Sequence, residues 1–322
     1  MHPLLERELG ARFVLDRDNA VRLGVRYTND GGFDVAAFEA AGPARTLFHI
    51  PFEDAIASHV LEFEAGGRSF LMLDSSLGAT DTQERDRTAL VRVDMDTGGR
   101  TVLGEGERAD VVDVWIDAAT GAPEAFATEY LRRDWRALNQ DSQADLDFLD
   151  RQLAGDFTVT SRSADDTRWI VVEDGPTVPP RSYLFDRSGP TGRRLTSLFS
   201  QRPDLRQAPL QPMAPIEIEA RDGLNLVSYL ALPAGVDADG DTRPDAGPLP
   251  LVLAPHDGPW RRDSYRFSPM HQWLANRGYA VLSVNFRGSS GLGNAYLAAG
   301  NGEWGGRMQD DLIDAADWAV NQ

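Results

Sequence analysis

An apolar run, Leu251-Val252-Leu253-Ala254, stops abruptly at His256-Asp257-Gly258-Pro259. The run reads as a short buried strand, and the residues after it leave backbone amides at the strand's end. A second apolar run, YAVLSVNF from Tyr279 to Phe286, ends at Arg287-Gly288-Ser289-Ser290-Gly291. In open α/β sheets chemistry gathers outside the carboxyl ends of strands, so both loops are candidate working surfaces. The chain has 0 cysteines, which excludes disulfides, thiolate zinc sites and a cysteine nucleophile. Oxygen and nitrogen chemistry must suffice.

The elements that would position these loops can be read from the same region. IEIEARDGLNLVSYLALPAG is two alternating runs joined by Asp222-Gly223, a strong hairpin signal because both turn positions tolerate positive φ. FSPMHQWLANRG predicts a helix with Ser268 as N-cap, Pro269 in the first turn and Gly278 as C-cap. Met270, Trp273 and Leu274 are expected on its buried face and His271 on its surface. GEWGGRMQDDLIDAADWAVN predicts a second helix, with Met308, Leu312, Ala315 and Ala319 as its apolar stripe and the aspartates largely outside it. Strand, helix, strand, helix implies a right-handed βαβ unit in a mostly parallel sheet. The aspartate-rich VDADGDTRPDAG could offer Asp237, Asp239, Asp241 and Asp245 to calcium, but Thr242 stands where an EF-type loop needs glycine. A solvated loop and no metal are expected.

From Arg12 to about Gln201 the pattern changes to short alternating runs broken by Gly, Asp, Asn and Pro, which reads as many short strands. GRSFLMLDSS with TALVRVDMDTGGRTVL is echoed by TRWIVVEDG with SYLFDRSGPTGRRLTSLF. Each is a strand, a turn, a second strand ending in Asp, a Gly-containing turn and a third strand. The echo fits two periods of a four-stranded blade of about 40–50 residues and predicts a β-propeller. The aspartates of VDMDTGG and LFDRSGPTG are read as turn residues. DWRALNQDSQADLDFLDRQL has helical spacing and is read as an insertion between blades. QRPDLRQAPLQPMAP has the character of a linker, which places a domain boundary near Leu205.

Composition bounds the partners. With 32 Lys+Arg against 50 Asp+Glu the formal charge is -18, which repels phosphate backbones and anionic lipid. Nucleic acid and membrane are therefore not expected partners. The chain as given has no secretory leader and no apolar run long enough to span a bilayer, which points to the cytoplasm.

PHDGPW, HQWLANRGYAVLSVNFRGSSGLGNAY and EWGGRMQDDLIDAADW resemble the opening of the catalytic domain of the prolyl oligopeptidase family of serine peptidases, closest to its acylaminoacyl-peptidase-like branch. The resemblance is specific over about Ile216 to Gln322. It implies a partial β-propeller over residues 1–205, followed by the N-terminal part of an α/β-hydrolase domain over 206–322. It also implies hydrolysis of short peptides through a Ser-Asp-His triad and an acyl-enzyme, with no cofactor. The family reads His-Gly-Gly-Pro where this chain has His256-Asp257-Gly258-Pro259. Gly258 then matches the backbone donor that binds the oxyanion of the tetrahedral intermediate. Asp257 would oppose that negative charge unless it points away or pairs with Arg261, Arg262 or Arg287. By the same resemblance His256 belongs to the oxyanion loop and is not the base, while Arg287 and Trp304 shape or brace the site.

A hydrolase of this fold needs Gly-x-Ser-x-Gly on a strand-to-helix turn. The sequence contains none; Gly288-Ser289-Ser290-Gly291-Leu292 lacks the last glycine. The resemblance implies that the elbow begins with the next strand, beyond Asn321-Gln322. At about 45 residues per blade, the first part supplies only four to five blades. The sequence therefore reads as a piece of a longer peptidase, open at both ends and inactive alone. An esterase of the same fold, or a propeller that only binds peptide or protein, are the alternatives.

Overall fold

A computed structural model describes residues 12–38, 44–76, 86–188 and 192–322. The N-terminal stretch Met1–Ala11 and the Gly189-Pro190-Thr191 part of the LFDRSGPTG turn lie outside the described residues. The chain forms two compact units. One holds Met1–Thr128, Arg136–Asn139 and Gly291–Ala295, and the other Glu129–Trp135, Gln140–Ser290 and Tyr296–Gln322.

The first unit is built of antiparallel meanders. Strands β1 (Arg12–Leu15), β2 (Val21–Tyr27), β3 (Phe33–Ala37) and β4 (Arg45–Ile50) form one sheet in sequence order. After a single-turn helix, α1 (Phe52–Ala55), strands β5 (His59–Phe63), β6 (Ser69–Asp74), β7 (Ala89–Asp94) and β8 (Arg100–Gly104) form a second. A third sheet has β9 (Val111–Ile116), β10 (Pro123–Glu129) and β11 (Arg133–Ala137), of which Glu129 and Arg133–Trp135 are counted with the other unit. Leu23, Val35, Phe70, Met72 and Val91 share one buried cluster contributed by the first two sheets. Leu71, Leu90, Val111 and Phe126 form another between the second and third. The two clusters use opposite faces of β6 because successive side chains of a strand alternate.

The turns are held by a recurring device. Asp94 Oδ1 accepts the backbone N–H groups of Asp96 and Thr97 at 3.1 and 2.8 Å. Asp16 and Asp117 do the same for residues two to four positions on, and Asp186 for Ser188. These are Asx turns, so the aspartates of the repeated motif are structural.

One polar cluster on this unit predicts a pH effect. The His49 ring bonds Asp34 through Nδ1 at 2.9 Å and Asp30 through Nε2 at 3.0 Å. The Asp34 bond raises the pKa of His49 above its ordinary value, aided by Asp30. A raised histidine pKa stabilises the fold below the unfolded value of about 6.5, and this contribution disappears as pH rises through the folded value. Chemical denaturation of wild type and His49→Gln at several pH values checks it. Wild type is the more stable at pH 5.5, and the difference shrinks toward pH 8.

The second unit opens with α2 (Gln140–Gln152), the expected inserted helix, and a four-stranded meander of β12 (Asp156–Arg162), β13 (Arg168–Gly175), β14 (Val178–Asp186) and β15 (Arg194–Ser200). Along β13, Trp169, Val171 and Glu173 are buried on alternate positions. The remainder is a sheet with covering helices. Strands β16 (Met213–Glu219) and β17 (Asn225–Ala231) form the predicted hairpin, with Gly223 at φ +86°. Strands β18 (Leu251–Leu253) and β19 (Ala280–Val284) flank α3 (Pro269–Ala275), and α4 (Asn294–Ala298) and α5 (Arg307–Asn321) follow. The sheet order is β16-β17-β19-β18. Only β18 and β19 are parallel, so the four strands form a mixed sheet, not the mostly parallel one expected.

Helix α3 corrects another expectation. Its cap is as predicted, with Ser268 Oγ accepting the His271 N–H at 3.3 Å. Its buried face is carried by His271 and Ala275, while Trp273 is 57% exposed. His271 is thus an interior residue. Its Nε2 lies 2.9 Å from Ser283 Oγ on β19, and burial pushes its pKa down to about 4. Among the described residues no helix is long and apolar enough to cross a membrane.

Candidate active site

Because β18 and β19 run in parallel, paired Leu251 to Ala280 and Leu253 to Leu282, their carboxyl ends lie side by side. The loop after each strand therefore opens on the same edge of the sheet. The Ala254 N–H still pairs with Leu282 O at 2.8 Å, and the chain then leaves the sheet at His256-Asp257-Gly258-Pro259.

The His256 ring joins the two loops. It stacks on Phe286 at 4.7 Å between ring centroids with 14° between planes. Its Nδ1 lies 2.8 Å from the Asp257 carbonyl oxygen, so Nδ1 carries a proton. Its Nε2 lies 2.9 Å from Ser289 Oγ in the second loop. Both ring nitrogens are engaged in holding the loop, which accords with a positioning role and not with a free base. Farther along, the Ser290 N–H donates to Arg261 O at 3.0 Å.

Gly258 has φ +149°, a region open essentially to glycine. A Cβ added there would stand 3.0 Å from Trp260 N and 3.4 Å from Arg261 N. Gly258 is an exposed residue, and among the described residues its N–H has no acceptor. Glycine is also required at Gly288, φ +92°, where a Cβ would meet Met308 Cε at 2.9 Å and Pro259 Cβ at 3.4 Å. The two loops approach each other because that position has no side chain.

Asp257, the departure from the family motif, projects outward. Its side chain is 77% exposed and meets Arg261 at 3.4 Å, one of the three partners expected for it. A solvated carboxylate with a cationic neighbour perturbs a nearby oxyanion far less than a buried one would.

Arg287 braces the second loop more strongly than expected. Its side chain is 4% exposed, and its guanidinium bonds Asp311 on α5 at 2.6 to 3.1 Å and Asp222 of the hairpin turn at 2.9 and 3.1 Å. Its backbone N–H also donates to Asp311 at 2.8 Å. Asp311 is fully buried, an exception to the reading of the α5 aspartates as surface residues. Trp304, expected to shape or brace the site, is 70% exposed.

Several residues at the site were not singled out in the sequence. The Asn285 carboxamide accepts the Asp263 N–H at 2.7 Å and donates to Asp263 O at 3.1 Å, fixing the exit of the first loop. The available signal was a pair of polar residues, Ser283 and Asn285, inside an otherwise apolar strand. Arg262 donates to Glu129 O at 2.6 Å and Tyr130 O at 2.9 Å, and Tyr229 donates to Leu131 O at 3.1 Å, with burial pushing its phenol up to about 12. The calcium-like loop keeps its carboxylates in turn bonds. Asp237, Asp239 and Asp241 each accept backbone N–H groups of the loop.

Residues 265–322 match the model of the prolyl oligopeptidase family. The chain is 46% identical over 313 residues to dipeptidyl aminopeptidase BIII of Pseudoxanthomonas mexicana, covering 97% of this chain and 44% of that protein. A puromycin-hydrolyzing peptidase from Mycobacterium tuberculosis superposes with a TM-score of 0.69 at 20% identity, over 97% of this chain and 47% of that one. Acylaminoacyl peptidase from Pyrococcus horikoshii gives 0.60 at 15% identity, over 93% and 44%. The chain thus spans about half the length of the proteins it matches. Its meander sheets are blades of a β-propeller and its mixed sheet is the first part of an α/β-hydrolase domain. By motif, sequence relative and fold together, the chain belongs to the prolyl oligopeptidase family.

Proposed function

We propose that this chain is the oxyanion-binding portion of a serine peptidase that cleaves short peptides through an acyl-enzyme. Residues 1–205 are its propeller portion, and residues 206–322 begin its catalytic domain. The observation that carries the reading is the Gly258 N–H. Among the described residues it has no acceptor, and it belongs to an exposed residue in a glycine-only conformation at the carboxyl end of β18. Such a donor is fixed in place before charge develops, which makes it worth more to the transition state than a mobile one. The identity of 46% to a dipeptidyl aminopeptidase supports N-terminal dipeptides as the product class.

The nucleophile, its base and the orienting acid are not supplied by these 322 residues, which contain no Gly-x-Ser-x-Gly. Strand β18 forms one edge of the sheet, where a following strand would pair and bring the nucleophile beside Gly258. The 322-residue chain alone therefore has no turnover. Dipeptide and acyl-aminoacyl chromogenic substrates provide the assay. Release equal to a buffer blank is expected, and release that a serine-directed phosphonate abolishes would overturn the reading.

A further inference from the structure

The Gly258 N–H belongs to a peptide unit whose other polar group is already engaged. That unit joins Asp257 to Gly258, and its carbonyl oxygen is the Asp257 O that lies 2.8 Å from His256 Nδ1. Every peptide bond among the described residues is trans. The C=O and N–H of one such unit share a plane and point in opposite directions, so fixing the carbonyl aims the amide. A carbonyl that accepts a hydrogen bond also polarises its own N–H, which makes that amide the stronger donor.

The ring that sets this plane is held from the second loop. Stacking on Phe286 restrains the tilt of the His256 ring but lets it slide, and the contact at Nε2 stops the slide. Ser289 supplies that contact from a fixed position. It is fully buried, its N–H donates to Phe286 O at 3.0 Å, its hydroxyl donates to the same oxygen at 2.6 Å, and its Oγ lies 2.9 Å from His256 Nε2. A hydroxyl so buried and directed at a carbonyl has no access to substrate, so Ser289 and His256 are not a nucleophile and its base.

We propose that Ser289 is a positioning residue for the oxyanion donor. Its Oγ holds the His256 ring, the ring holds Asp257 O, and the peptide plane carries that setting to the Gly258 N–H. This inference rests on the peptidase reading for what the donor does, while the relay itself stands on the geometry. A supporting group that is buried and doubly bonded to the end of a core strand is what keeps an exposed donor preorganised.

Ring-labelled histidine tests the relay on the 322-residue chain without any catalysis. The chain has 5 histidines, and the His256 resonance is the one lost in His256→Phe. In wild type the Phe286 ring current shifts it. Ser289→Ala is expected to move it toward the position of a free histidine, while the resonance of His271, bonded to Ser283, stays in place. An unmoved His256 resonance overturns the inference. In the product of the complete reading frame, Ser289→Ala should lower kcat by about tenfold with KM nearly unchanged, as loss of one hydrogen bond that serves only the transition state does. Added to His256→Phe, which keeps a stacked ring without ring nitrogens, the same substitution should cost nothing further, because the relay is already broken. A second tenfold loss in that background, or a wild-type kcat in Ser289→Ala, overturns the inference. If the His271 resonance moves as well, this cycle decides. Absence of all peptidase activity in wild type sinks the peptidase reading instead, and the His256 resonance then decides the relay.

Discussion

Replacing Arg287 with methionine destabilises the second unit by about 3–5 kcal/mol, the cost of stranding a buried charge. Asp311 is fully buried and loses its guanidinium partner, while Asp222 loses the tie between the hairpin turn and the second loop. Methionine fills much of the arginine stem's volume, so the loss is electrostatic and not a cavity effect. Urea unfolding of the 322-residue chain measures it. Adding Asp311→Asn should restore more than half of the loss, because the amide oxygen still accepts the backbone N–H of position 287 and no charge remains buried. A methionine variant within 1 kcal/mol of wild type would mean that water reaches Asp311.

Gly258→Ala is the second large effect. In the product of the complete reading frame it is expected to lower kcat by roughly 10²–10³, as loss of one oxyanion donor does, with KM nearly unchanged. The alanine keeps its N–H but not the conformation that aims it. At φ +149° an alanine is strained, and its Cβ would sit 3.0 Å from Trp260 N, so the backbone must turn. Steady-state kinetics on a dipeptide substrate provide the comparison. Asp257→Gly should change kcat by far less, since its carboxylate is solvated and paired with Arg261. A Gly258→Ala enzyme with wild-type kcat would remove Gly258 from the mechanism.

What the sequence disclosed follows from how local each signal is. The strands of the meanders were legible because alternation and Asx turns act over two to five residues, as at Asp94 and Thr97. The hairpin at Asp222-Gly223 was legible for the same reason. Helix α3 was read from its cap correctly and from its face wrongly. Met270 and Trp273 look like a core stripe but are exposed, while the buried position goes to His271, whose ring finds Ser283 on β19. Only tertiary contact distinguishes those faces. The Arg287 network was illegible in its partners, since Asp311 and Asp222 stand 24 and 65 residues away. The role proposed for Gly258 comes from the resemblance, and its φ of +149° at the end of β18 is the physical observation that supports it.

On the proposed reading, this chain provides an oxyanion donor to a serine nucleophile that it does not itself contain. Fluorophosphonate labelling tests it most directly, applied in parallel to the 322-residue chain and to the product of the complete reading frame, with the labelled residue mapped by mass spectrometry. One labelled serine is expected in the longer product, beyond position 322, and none in the chain alone. A longer product that takes no label, or a labelled serine within these 322 residues, would contradict it.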